Sequence, residues 1–534
     1  MEAIIRKIAS SLYPDECTDK EVSRIYKIHK YWARKPWYIV EQYISDYSKP
    51  GETVMDPFCG SGLTGLEAII NGRNFIGQDL NPTAIRVSSG TMDLAFDEAL
   101  FKEDFKSISD ACKDKIMELY KSDAICPQCG RQLTYKYLLT GPKFDNQHLG
   151  HLFCTCGYKE AKHPLSVYDE AQINYYNNLA FDEWVPSIHF PKEFYKDRFS
   201  YKGILTVADM YTRRNLYALA ILLQEIKKVR TENQSYFKLA FTNTLLHVSK
   251  LKGENVRPLS VNNYWIPDDY IEENVWFRFD ERIKLIINAK KAQQKRAAKK
   301  ITQGTVYGTW YLQKKSALED MGTNFVDYFF TDPPYGEAIQ YSELSFIWNS
   351  WMEEEYENEE EVIINPAQKK GTKEFNKLLC YSLENIYRAL KPQRHFTLCF
   401  QNKNSDIWKS VIYYCKHLGF KLVDVSIYNT YGYPFNKSWA NFSPKSDIYV
   451  TFQKTELQDE FFYDKPETIK EIIKEISIYM NAHEIKADNN KLYDLTISYL
   501  IWALYLNKSE IDIAKFDIKK FTEIAKEALE EKTL

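Results

Sequence analysis

The stretch Glu52-Thr53-Val54-Met55-Asp56-Pro57-Phe58-Cys59-Gly60-Ser61-Gly62-Leu63-Thr64-Gly65 admits few folds. A short apolar run ends on an acid, a glycine turn follows, and helical spacing begins at Leu63. Strand, turn and helix in that order make the first unit of a doubly wound α/β sheet. Gly60 and Gly62 let the backbone come close to a ligand at the helix start. Asn71-Gly72 closes the helix, residues 74–77 make a second short strand, and Asp79 stands at its end before Leu80 and Asn81. An acid there is placed for ribose hydroxyls. Glycine spacing alone would suit a dinucleotide or an adenosyl donor. Asp56 decides between them, because a carboxylate before the loop disfavours a pyrophosphate and favours a cationic or amino-acid ligand. S-adenosylmethionine, with its sulfonium and α-amino group, fits better than NAD.

A second strand end carries different chemistry. The apolar run Phe325-Val326-Asp327-Tyr328-Phe329-Phe330 predicts a buried strand, and Thr331-Asp332-Pro333-Pro334-Tyr335 follows it directly. Proline fixes φ, so the turn is stiff and the carbonyl before Pro334 points in a set direction. Asp332 and that carbonyl can both accept from an exocyclic amine, while the Tyr335 ring can stack on a base. An ordinary strand-end turn would also favour Asp and Pro, so the tetrad by itself leaves turn and active site open.

About 250 residues separate Asp79 from Asp332, far more than one crossover needs. Cys126-Pro127-Gln128-Cys129-Gly130 and Cys154-Thr155-Cys156-Gly157 open this insert. Paired cysteines followed by glycine suit a tetrahedral structural zinc site in a ribbon. The second pair is Cys-x-Cys rather than Cys-x-x-Cys, and His148 and His151 are nearby substitutes. Four thiolates leave no open position for catalysis. Helical spacing follows from Arg213 to Leu223, and again from about Asp280 to Lys300. The latter segment carries Lys290, Lys291, Lys295, Arg296, Lys299 and Lys300 with no acid after Glu281. Lys291, Lys295 and Lys299 share one face at i, i+4 spacing, a stripe suited to phosphate or to plain solvation. Arg213 and Arg214 are added as candidates for nucleic-acid contact.

Together these motifs resemble those of the amino-group (N6-adenine or N4-cytosine) DNA methyltransferases, most closely the adenine-specific DNA methylases containing a zinc ribbon. Asp56-Pro57-Phe58-Cys59-Gly60-Ser61-Gly62 resembles their donor-binding motif, and Asp332-Pro333-Pro334-Tyr335 their catalytic tetrad. Ile28-His29-Lys30-Tyr31-Trp32-Ala33-Arg34-Lys35-Pro36-Trp37 resembles a further donor-site segment. Thr331–Gly336 followed by Tyr341-Ser342-Glu343-Leu344-Ser345-Phe346-Ile347-Trp348 belongs to the same likeness, which covers most of residues 21–455. The resemblance implies a Rossmann-like S-adenosylmethionine-dependent methyltransferase fold and methylation of a flipped base in double-stranded DNA, with adenine N6 the expected target. Asp332 and the Pro333 carbonyl would bind the amine and Tyr335 would stack on the base. Asp56 with the Gly60 and Gly62 backbone would hold the methionine end of the donor, and Asp79 its ribose. Pro57, Phe58, Leu80 and Asn81, with Lys30, Tyr31, Trp32 and Ala33, complete the expected donor site. One departure stands out: Ser316-Ala317-Leu318-Glu319-Asp320 lacks a clear acid for the donor adenine.

The expected partition is a first methyltransferase part (1–100), a zinc-ribbon insert (101–170) and a mainly helical target-recognition insert (171–300). A second methyltransferase part (301–455) and a C-terminal helical appendage (456–534) follow. Residues 382–390 predict a helix, and 395–400 and 447–452 predict strands. Residues 436–441 are a candidate lining for the base pocket, and His29 and His247 are expected to be structural. A net charge of -3 over 534 residues does not announce a nucleic-acid binder, so any such surface must be local. Ten cysteines at uneven spacing do not suggest a disulfide scaffold. No run of ~18 uncharged apolar residues appears, and residues 1–7 lack a signal-peptide core. A cytoplasmic protein without a membrane segment is expected, acting in restriction-modification or phage defence, with a cognate restriction or defence-system subunit as a candidate partner. An RNA base methyltransferase and an inactive nucleic-acid-binding subunit are the alternatives.

Overall fold

The computed structural model describes residues 19–141, 148–196, 199–259, 264–402, 404–429, 446–455 and 489–506, with four positions between 473 and 478. Seven strands form its central sheet: β1 (Thr53–Asp56), β2 (Asn74–Asp79), β8 (Trp310–Lys314), β9 (Val326–Thr331), β10 (Leu390–Phe400), β11 (Phe420–Asn429) and β12 (Ser446–Lys454). Their order is β11-β12-β10-β9-β1-β2-β8. The five strands from β10 to β8 run parallel, and β12 lies antiparallel between β10 and β11. This mixed α/β sheet is compatible with a methyltransferase fold.

Helices cover both faces, which is why β9 is buried at all six of its positions. Side chains alternate between two layers. Phe329 packs with the helices Thr372–Ala389 and Ser405–Leu418, while Tyr328 and Phe330 meet Trp37–Tyr47 and Leu63–Ile70. The described helix Asn489–Leu506 places Leu495, Leu500, Ile501 and Leu504 in the first of these layers. That helix is part of the sheet's own core, while most of the expected C-terminal appendage (456–534) lies outside the described residues.

Between β2 and β8 lies a second, antiparallel sheet: β3 (Lys121–Ile125), β4 (Gln132–Thr140), β5 (Leu149–Phe153) and β6 (Lys159–Pro164), with β7 (Tyr270–Glu273) on the other edge of β4. β7 comes from the far end of the insert, so the cysteine-bearing strands and the helical part share one sheet. They share one core as well, in which Tyr135 and Leu152 join Leu219, Phe237 and Phe279. The predicted helices are present, as Arg213–Ile226 and Val275–Thr302. The insert is also bolted to the site, because Ile347, Trp348 and Trp351 of the helix Tyr341–Trp351 belong to the insert's core.

Candidate active site

Asp56, Asp79 and Asp332 close the carboxyl ends of three neighbouring parallel strands, β1, β2 and β9. The chain turns from one side of the sheet to the other between β1 and β9, the place where α/β sheets open a crevice. One cleft is bounded there by Tyr31, Trp32, Asp56, Gly60, Asp79 and Asp332. Ala33, Pro57, Phe58, Leu80 and Pro334 line it too. Residues about 250 positions apart in the sequence thus share one wall.

Local geometry explains the glycines. Gly60 has φ +52, and a Cβ there would sit 3.1 Å from the Tyr31 ring, so a side chain would strain the backbone and crowd that ring. Gly62 has φ +76, and its Cβ would fall 2.7 Å from Ser88 Cα. Its role is close packing against the helix Pro82–Met92, and it does not line the cleft.

The acids are tied into the frame. Asp56 accepts from Phe58 N at 3.0 Å and from the hydroxyls of Thr64 and Thr331, each at 2.9 Å. The Thr331 bond joins the donor strand to the strand of the tetrad. Burial pushes the Asp56 carboxyl up to about 7 against these donors. Asp79 accepts from Gly60 N and Asn81 N, each at 2.9 Å, and burial raises it to about 6. Asp332 takes a 2.7 Å hydrogen bond from the Tyr335 hydroxyl. It too is pushed up to about 6, by burial first, with Lys35 opposing and Asp447 adding to the rise. The Tyr335 hydroxyl also lies 3.2 Å from Cys399 Sγ, and its ring meets Phe400 edge to face at 5.3 Å.

Several expected residues sit elsewhere. Lys30 Nζ donates to the carbonyls of Pro258 and Leu259, each at 3.1 Å, and leaves the cleft to Tyr31 and Trp32. Asn81 is 1 % exposed and caps the helix Pro82–Met92 through Thr83 N. Arg214 is corrected outright as a nucleic-acid contact. Its guanidinium is buried and grips Glu272 with Nε and Nη2 at 2.9 and 2.7 Å. Arg213 lies over the Phe181 ring and donates to the Leu179 carbonyl. On the long helix, Arg296 and Lys300 bind back to Glu67 and Glu41. Lys291 and Lys295 reach Glu98 and Glu21 in exposed pairs, and Lys299 has no ion pair among the described residues. Surface pairs of that kind are worth little and yield readily to a phosphate. Residues 436–441 lie outside the described residues. His29, held by the Lys30 carbonyl and the Thr242 hydroxyl and pushed down to about 3 by burial, is structural as expected.

Other groups join the site, of which Tyr356, Glu361 and Val362 belong to no motif read from the sequence. Tyr341, Tyr356, Glu361 and Val362 line the cleft, and Ser316 and Ala317 bound it beyond β8. Tyr356 and Glu361 fall in an acid-rich stretch that reads as a solvated loop. Glu361 is nonetheless 3 % exposed, accepting from Ser342 and from the Tyr356 hydroxyl. With Asp56, Asp79, Asp332 and Glu361 around aromatic walls, the lining suits a cationic ligand with a nucleoside end and opposes a polyphosphate.

The four cysteines of the insert come together. Their sulfurs all lie within 4.8 Å of one another, with Cys126–Cys156 and Cys129–Cys154 each at 3.5 Å. Tetrahedral zinc at ~2.3 Å from each sulfur asks for about 3.8 Å between sulfurs. Gly130 N and Gly157 N donate to the carbonyls of Cys126 and Cys154, and both glycines have positive φ, as a knuckle needs. His151 stacks on Tyr137 and is not needed as a substitute.

Fold and cleft are compatible with a methyltransferase, and the comparisons with known proteins point the same way. Residues 7–89 match the N6_N4_Mtase family, described as DNA methylase. Over 63 residues the chain is 40% identical to the DNA adenine methyltransferase YhdJ of Escherichia coli (strain K12), covering 12% of this chain and 21% of that protein. Over 59 residues it is 39% identical to the Type II methyltransferase M2.DpnII of Streptococcus pneumoniae, covering 11% of this chain and 22% of that one. The Type II methyltransferase M2.LlaDCHI of Lactococcus lactis subsp. cremoris is matched to the same extent. The chain spans about a fifth of the length of the curated relatives it matches. Through this segment the chain is related to the amino-group DNA methyltransferases. The family match ends before the cysteine pairs.

Proposed function

We propose that the chain methylates an exocyclic amine of a base flipped out of double-stranded DNA, using S-adenosylmethionine, with adenine N6 as target. The observation that carries this proposal is the tie between the two half-sites: the Thr331 hydroxyl bonds Asp56, and Asp332 lines the same cleft as Gly60 and Asp79.

An aromatic exocyclic amine is a poor nucleophile because its lone pair is conjugated into the ring. Asp332 and the Pro333 carbonyl, as two acceptors against its protons, favour a pyramidal nitrogen and free that pair. Tyr335 offers its ring to the extruded base and offsets part of the few kcal/mol that unstacking costs. S-adenosylmethionine supplies, when bound, a methyl group made electrophilic by its sulfonium. Asp56 and the Gly60 loop hold the methionine end of this donor and Asp79 its ribose, so proximity and fixed electrostatics do most of the work. No strong base is needed, since the proton can leave after transfer. Cys126, Cys129, Cys154 and Cys156 hold a structural zinc ion. Lys291, Lys295 and Lys299 contribute phosphate contacts. No helix among the described residues is long and apolar enough to cross a membrane.

The test is methyl transfer from labelled S-adenosylmethionine into duplex DNA and into structured RNA, with the wild type and Asp332→Ala. Transfer into duplex DNA that vanishes in the variant supports the proposal. Undiminished transfer by Asp332→Ala, or preference for the RNA, overturns it.

A further inference from the structure

Asp332 has a charged environment that the tetrad does not contain. Lys35 enters from the segment before the helix Trp37–Tyr47, with its side chain 7 % exposed. Its Nζ lies 3.1 Å from Asp447 Oδ2, 3.4 Å from Asp332 Oδ1 and 4.7 Å from the centre of the Tyr335 ring. Asp447, on the antiparallel strand β12, is itself 5 % exposed on its side chain. One buried ammonium thus serves two carboxylates brought together from opposite parts of the chain.

We propose that Lys35, anchored by Asp447, is a positioning residue that holds Asp332 as an oriented carboxylate, the form able to accept from the amine to be methylated. This rests on the methyltransferase reading above. The chemistry is that of two acids at one site. Without a cation between them, adjacent buried carboxylates keep a proton, and a protonated Asp332 would turn an O–H toward the amine in place of an acceptor. The groups facing Asp332 from the other elements cannot replace Lys35. Cys399 on β10, Tyr449 on β12 and Tyr335 on its own turn are neutral, since burial pushes each of them up. Tyr341, on the helix that follows, is raised in the same way. Asp56 on β1 adds a further acid. Lys35 is the one cation that the ion pairs of the described residues bring to Asp332.

The test is the pH dependence of single-turnover methylation of genomic DNA from a host lacking this protein. Asp332 ionisation is read separately by ¹³C NMR of protein labelled at the aspartate side-chain carboxyls, its signal identified by loss in Asp332→Asn. In the wild type, the acid limb and the Asp332 signal should titrate together near 6. Lys35→Met should move both upward by about 1–3 pH units, whereas Lys35→Arg should leave them in place. Asp447→Asn, which removes the neighbouring acid and keeps the ammonium, should move both downward, and it decides the matter if Lys35→Met does not fold. An Asp332 signal unmoved in a folded Lys35→Met or in Asp447→Asn overturns the inference. A wild type with no methyl transfer refutes the methyltransferase reading alone, because the NMR titration still tests Lys35.

Discussion

Replacing Arg214 with Met tests whether this arginine belongs to the core of the insert or to a nucleic-acid face. Its side chain is 4 % exposed and that of Glu272 is 6 %. The fork of two hydrogen bonds is supported by Thr212, whose hydroxyl donates to Glu272 at 2.6 Å, and by the Leu119 carbonyl, which accepts from Arg214 Nη1 at 3.2 Å. Removing the guanidinium leaves Glu272 buried with one hydroxyl donor, a change that costs about 3–5 kcal/mol when a buried pair loses one member. Removing both charges in Arg214→Met/Glu272→Met should recover most of this. What remains is about 1 kcal/mol for each polar group left short of a partner, here the Thr212 hydroxyl and the Leu119 carbonyl. Urea denaturation of the wild type, both single variants and the double variant gives the coupling energy directly. The pH dependence has a defined sign. Against the upward push of burial, Arg214 holds the Glu272 carboxyl below its ordinary value. The stabilisation is therefore present above the unfolded-chain value of ~4.3 and is lost as pH falls through the folded one. The gap between wild type and Arg214→Met should narrow in acid. If Arg214→Met costs less than about 1 kcal/mol, or if the double variant is as unstable as the single, the buried-pair account is wrong. A fall in DNA affinity with unchanged stability would restore Arg214 to the DNA face.

Three further outcomes are expected. Gly62→Ala should cost about 2–5 kcal/mol, from left-handed backbone strain plus a Cβ pressed on Ser88 Cα, whereas Gly130→Ala, with open space at its Cβ, should cost only the strain; equal denaturation midpoints would refute the close-packing account. Cys126→Ser should reduce the zinc measured per chain and loosen the insert while leaving donor binding by calorimetry intact; full retention of metal would refute the four-cysteine ligand set. The raised Asp56 carboxyl means that the folded chain keeps a proton between the unfolded value of ~3.9 and about 7. Stability from this group is complete below that window and declines as pH rises through it, and Asp56→Asn should flatten the decline in urea midpoints.

The elements legible in the sequence were those whose signal is local. The Asp56-to-Gly62 turn and the strand before Asp332 rest on residues next to each other in the chain, and both form. The spacing of the two cysteine pairs likewise carries the knuckle geometry in its glycines. Lys35 was in view as part of a donor-site segment, yet nothing in Ala33-Arg34-Lys35-Pro36 says that its partners are Asp332 and Asp447. Asp447 looks like the polar start of a strand, and becomes notable only when β12 is threaded beside β10. Tyr356 and Glu361 were hidden because an acid-rich run reads as solvated surface, while the structure buries Glu361 under Ser342 and Tyr356. The basic run on the long helix misleads in the opposite direction. Lys290 is 1 % exposed, and Arg296 turns inward to Glu67.

The sequence by itself determined which chemistry each strand end can present, because dihedral preference, side-chain charge and helix entry are properties of a few consecutive residues. Only the tertiary structure decided that the two strand ends share a cleft, through the parallel pairing of β1 with β9 and the Thr331 bond to Asp56. It also decided that the insert and the helix Asn489–Leu506 are packed into the body. The physical reason is that burial, and with it the pairing and protonation of every acid at the site, depends on what folds over a residue from far along the chain.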